Sequence, residues 1–174
     1  SMGIVQSWQI PDDCHPLYQD HVVKTYEYHM FKAPMPNPLK RRYSTQVSCP
    51  MDVEAMKKGA AYLIGEHDFV SFCNIKTNVE DTVRTVYALD IMQEGEDITL
   101  RITGNGFLYN MVRIIAGTLI RVGRGFYEPE RVKEILDEKV RTAAGVTAPP
   151  NGLVLVEIGY DDSGNGGYSE EERR

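Results

Sequence analysis

With 174 residues, 42% hydrophobic and 25% charged, the chain has the size and composition of one globular domain able to bury a core. No apolar run approaches the roughly 20 residues of a membrane-spanning helix, and no basic leader with an apolar h-region marks a secretory signal; the expected setting is cytoplasmic, away from membranes. The formal net charge of −6 excludes nucleic-acid binding through overall charge and leaves that task to local basic clusters.

Residues 1–20 read as a linker-like lead-in to a domain over 21–160, and Ser1-Met2 as an expression remnant. His21 to Phe31 is rich in β-branched and aromatic residues and predicts a strand. On it Lys24, Tyr26 and Tyr28 share one face, with Thr25 and Glu27 on the other. Three prolines between Ala33 and Pro38 predict a loop, and Lys40-Arg41-Arg42 leads into a short extended segment near Tyr43 to Ser48. Asp52 is the expected N-cap of a helix to about Ile64, stopped by Gly65. Glu66-His67-Asp68 then reads as solvated loop, with Phe69 and Phe72 as core anchors.

Val83 to Met92 and Asp97 to Thr103 alternate around a Gly95 turn and predict a hairpin. Gly104-Asn105-Gly106 opens a second helix, about Leu108 to Val122, ended at Gly123. Pro129 starts a third, packed through Val132, Ile135 and Leu136. Leu153 to Ile158 predicts a last strand, and 161–174 a polar tail expected to be disordered. This order implies an α+β fold: a mostly antiparallel sheet with helices packed on one face and the other face uncovered.

The richest chemistry lies in Gly104 to Arg124. Asn110, Arg113, Gly117 and Arg121 recur at spacings of three, four and four, one stripe on a helix that is otherwise apolar. A guanidinium placed there is costly to desolvate alone, so Arg113 should meet an anion. That anion is either a carboxylate of this chain, in a structural salt bridge, or a catalytic carboxylate or phosphate brought to it. Tyr26 and Tyr28 on one sheet face are equally open: core packing, or a ring that stacks on a base. Lys40, Arg41, Arg42, Arg121 and Arg124 suit phosphate contacts or plain solvated charge.

Other chemistries find little support. Gly104-Asn105-Gly106 lacks the third glycine of a dinucleotide fingerprint and the acid that should follow it. Cys14, Cys49 and Cys73 are scattered, with no CxxC spacing and no Cys/His cluster, so neither a disulfide framework nor a zinc site is expected. No serine lies in a nucleophile elbow, and no base stands beside a cysteine.

Several segments resemble, in order, the TruA family of tRNA pseudouridine synthases. They are Lys24-Thr25-Tyr26-Glu27-Tyr28, Gly65 to Phe72, Arg84-Thr85-Val86, Gly104 to Gly117, and Ala144-Gly145-Val146-Thr147-Ala148-Pro149 with Gly152-Leu153. The resemblance runs from about Val5 to Tyr160 and corresponds to the C-terminal half of the family's catalytic fold. It implies cofactor-free and metal-free isomerisation of uridines in the tRNA anticodon arm by a homodimeric enzyme. Tyr26 then matches the tyrosine that stacks on the flipped uracil and takes a ribose proton. Arg113 matches the partner of the catalytic aspartate, Phe107 and Leu108 the apolar pocket wall, and Asn110 a substrate-side residue.

One departure matters most. The family's aspartate lies in Arg-Thr-Asp-x-Gly, and the nearest look-alike, Arg141-Thr142-Ala143-Ala144-Gly145, has alanine in its place. That stretch belongs to the C-terminal motif. The expectation is a chain inactive alone, lacking the half that carries the nucleophile and exposing the apolar sheet face which that half would cover. The rival readings are a non-catalytic RNA-binding module and a protein-interaction or dimerisation domain.

Overall fold

A computed structural model describes residues 22–34, 38–47, 50–74 and 81–160. The expected lead-in 1–20, the tail 161–174, Cys14 and Cys49 lie outside the described residues. The strands are β1 (Val22–Lys32), β2 (Thr45–Val47), β3 (Gly65–Asp68), β4 (Val83–Glu94), β5 (Asp97–Gly104) and β6 (Leu153–Tyr160). The helices are α1 (Val53–Ala61), α2 (Met111–Gly123) and α3 (Arg131–Glu138).

The sheet runs β2-β1-β5-β4-β3, with β6 also paired to β1. Among the described residues only the β1–β2 pair is parallel. β5 takes one edge of β1, while β6 (against Val22 to Tyr28) and β2 (against Met30 to Lys32) share the other. Alternation sets the two faces. Tyr28 and Met30 of β1 and Ile98, Leu100 and Ile102 of β5 turn inward and are buried. They join Met56, Ile114, Ile115, Leu119 and Ile135 in one core under the three helices. The sequence-expected α+β layering is what the chain adopts.

Four details differ from expectation. Gly65-Glu66-His67-Asp68 is an edge strand, not a loop, because it pairs with Val83 to Val86 of β4; four residues of weak β propensity are held by tertiary pairing. Helix α1 stops at Ala61, short of Ile64. Helix α2 starts at Met111, three residues late, because Asn110 is left-handed (φ 61°). Its stop lies beyond Gly123: Gly125 (φ 73°) bonds back to Val122 O and Phe126 N–H to Arg121 O, a Schellman closure.

The fourth concerns the uncovered sheet face, which was expected to be apolar and is mixed: Val154, opposite Glu27, and Met92, opposite Thr99, are exposed on it beside polar residues. It carries Thr25 bonded to Thr103 (2.9 Å), Glu27 paired with Arg101 (3.2 Å), and His29 beside Glu27 and Thr99. From Thr25 to His29 on β1, and along β5, the residues that alternate with the core positions are polar. Strand β6 exposes a run of apolar residues, Val154, Leu155, Val156 and Ile158. The outer edge of β6 has no strand partner among the described residues.

Candidate functional site

The β5-to-α2 connection builds the site. Asn105 locks it to β4, its N–H donating to Thr85 O (3.1 Å) and its Oδ1 accepting from Thr85 N–H (2.9 Å). Phe107 is thereby delivered against Tyr26, ring centroids 5.3 Å apart and edge-on at 87°. Asn110 takes the left-handed conformation, which asparagine tolerates better than most residues. From there its Oδ1 accepts a hydrogen bond from Arg113 Nη1 at 3.0 Å. The expected helical stripe thus holds as a contact, although Asn110 precedes the helix proper.

Arg113 is fixed twice more. Its Nε donates to Ala148 O at 2.7 Å, while Ala148 N–H donates to the Arg113 carbonyl at 3.0 Å. This reciprocal pair sets the plane of the guanidinium from the backbone of another segment. Among the described residues Arg113 makes no ion pair, so the structural salt bridge left open by the sequence is not formed there. The second terminal nitrogen, Nη2, keeps both hydrogens without an acceptor among the described residues.

A cavity of about 210 Å³ is lined by Tyr26, Phe107, Leu108, Tyr109, Asn110, Arg113 and Leu153, among others. All five residues that the sequence placed at the centre of the site therefore border one space. The two tyrosines separate cleanly. Tyr26 is half-buried and borders the cavity, whereas Tyr28 is fully buried. The Tyr28 hydroxyl donates to Pro149 O (2.8 Å) and shares a hydrogen bond with Thr45 Oγ1 (2.7 Å). Burial pushes the Tyr28 phenol up, against smaller lowering effects of the Thr45 bond and the Arg113 charge. It stays protonated and serves as a strut under the 144–149 segment.

That segment is what residue-level reading missed. It crosses α2 at Gly117, where a Cβ would sit 1.8 Å from Val146 O. Gly145 N–H donates to Thr118 Oγ1 (2.9 Å). Arg141 binds Asn74 Oδ1, Gly145 O and Thr147 Oγ1 at 3.1 Å each. Gly117 was legible as a place of close backbone approach, but nothing in the sequence named what approaches. The Ala148 carbonyl, acting through the backbone, leaves no side-chain signature at all.

The basic set divides. Lys40 pairs with Asp97 (2.6 Å) and lies over the Phe31 ring, while Arg41 and Arg42 are exposed. Arg121 packs on the Tyr127 ring, 5.3 Å from its centroid, and Arg124 is exposed. Both border a second cavity, about 340 Å³, that is lined in part by Val146, Ala148 and Pro149 of the 144–149 segment. At the sheet's far edge Asp68 accepts from Thr82 Oγ1, which with its neighbours holds that carboxyl below the usual range.

A family model described as tRNA pseudouridine synthase matches residues 60–161. Three curated proteins, each named tRNA pseudouridine synthase A, are similar to the chain. That of Brevibacillus brevis is 49% identical over 81% of this chain and 58% of its own length. Those of Bacillus velezensis and Bacillus subtilis are 44% and 46% identical, each over 91% of this chain and 64% of its own length. The chain thus spans roughly three-fifths of the relatives it matches.

Proposed function

The chain belongs to the tRNA pseudouridine synthase family, and on that premise we propose that it presents Tyr26 and Arg113 to a flipped uridine of the tRNA anticodon arm, within a longer enzyme that isomerises it to pseudouridine. In that reaction the bond from ribose C1′ to uracil N1 breaks and one from C1′ to C5 forms, while C5 gives up its proton and N1 takes one up. The product is an isomer, so no oxidant, reductant or cofactor has to be consumed. Extruding the base costs a few kcal/mol of stacking, which Tyr26, Phe107 and Leu108 offset by enclosing it in the smaller cavity.

The observation that carries this reading is Arg113: a guanidinium locked by Ala148 and Asn110 at the wall that also holds Tyr26, paired with no carboxylate of the described residues. A catalytic aspartate from polypeptide outside these 174 residues is the anion it receives, in a charge-assisted pair. Tyr26 stacks on the uracil, takes the ribose proton and returns it as the bond to C5 forms. The exposed apolar strand β6, with its open outer edge, is the surface we assign to docking that polypeptide. The cytoplasmic, homodimeric longer protein is active, and this chain alone is not.

The test uses tRNA labelled with tritium at uridine C5 and this sequence extended by the polypeptide encoded upstream. Arg113→Lys keeps a charge but loses the forked donors. It should lower tritium release by about 10²- to 10³-fold, the usual cost of removing a preorganised donor to developing charge. Release equal to that of the unsubstituted protein would remove Arg113 from the chemistry and sink the reading.

A further inference from the structure

The second cavity has no role in this scheme. It is about 340 Å³, just inside the roughly 300–1,000 Å³ of ordinary ligand sites. Its walls include Val47, Ile120, Val146 and Pro149, its charged lining residues are Arg121 and Arg124, and it has no acidic lining residue. Among the described residues neither arginine forms an ion pair. Arg121 is steadied by the Tyr127 ring and by a 3.5 Å contact of Nη1 with the Tyr127 hydroxyl.

Phe126, also in the lining, is 68% exposed, yet its backbone is held by the closure onto Arg121 O at 2.9 Å. An exposed aromatic ring on an anchored backbone, lining one cavity with two guanidiniums and an apolar wall, matches the two halves of a nucleotide. The ring and wall suit a base, and the guanidiniums suit a phosphate. The carbonyl end of α2 disfavours an anion by its partial charge, but the Schellman bonds occupy its last carbonyls and the two full charges outweigh it.

We propose that this cleft is a second nucleotide subsite, with an RNA phosphate between Arg121 and Arg124 and an unstacked base on Phe126. This rests on the reading of the chain as a part of an RNA-modifying enzyme. Arg121 lies eight residues along α2 from Arg113, roughly 12 Å at 1.5 Å per residue. A stacked strand covers that in three to four nucleotides at about 3.4 Å each. The subsite therefore takes a base a few positions from the flipped uridine.

The probe is a fluorescently labelled RNA stem-loop with a uridine-containing loop, titrated with the 174-residue chain at several salt concentrations. Phe126→Ala should weaken binding at least about fivefold with the salt slope unchanged. Arg124→Ala should weaken it and reduce the slope by about 0.7, and Arg124→Lys should restore the slope. Both positions are exposed, and unchanged thermal melting checks that the variants fold. Wild-type affinity in both variants overturns the proposal, as does no binding up to about 100 µM, the weak end of non-specific affinity. So does a chain found to dimerise through this cleft, with Phe126→Ala separating the copies. Failure of the Arg113 test with these effects intact leaves the subsite standing as an RNA contact; the converse removes the subsite alone.

Discussion

The two ends of α2 carry the same side-chain chemistry under opposite constraint. At the N-terminal end, Arg113 is held by the Ala148 carbonyl, the Asn110 side chain and the return bond from Ala148 N–H. At the C-terminal end, Arg121 rests on one ring and Arg124 is exposed. A guanidinium that must meet a carboxylate in one geometry has to be ordered before the partner arrives, because ordering it on contact would subtract from the interaction. Cations that meet a mobile phosphate strand have no such requirement. The difference lies in the 144–149 segment, which clamps one end of the helix and stops short of the other.

The clamp should therefore respond to substitution far more than the loose end. Gly117→Ala is the most severe test, since the added Cβ collides with Val146 O rather than with a side chain able to turn away. Loss of about 4 kcal/mol or more is expected in urea unfolding, among the large single-residue effects; a loss under about 1 kcal/mol would mean that the crossing is not tight. Thr118→Val keeps the shape but leaves the buried Gly145 N–H without its acceptor. Destabilisation of about 1–3 kcal/mol follows from the unmade bond, measured in the same way. Arg124→Ala, at the loose end, should change stability by less than about 0.5 kcal/mol. A larger loss would erase the contrast between the two ends.

How much of this was legible in the sequence depends on whether a feature is local. Strands β1, β4, β5 and β6 and the three helices follow from alternation and 3.6-residue spacing, which each segment carries within itself. Strand β3 does not, because Gly65-Glu66-His67-Asp68 has no strand-forming character and exists through its pairing with β4. The apolar open face was expected from the idea of a missing half, although Thr25 and Glu27 already alternate with Tyr26 and Tyr28. Alternation was the better guide along β5 and the middle of β1, while β6 carries four exposed apolar residues from Val154 to Ile158. At the site, Arg113 drew notice because a charge on an apolar helix demands a partner. The partners that position it are a backbone carbonyl and a left-handed asparagine, and neither is written in residue type alone.

The central claim is that the cavity bordered by Tyr26 and Arg113 awaits a nucleophilic carboxylate from outside these 174 residues. Tritium release from C5-labelled tRNA by this chain alone tests it most directly. The account predicts release indistinguishable from a no-protein control, and isomerisation above that background would contradict it.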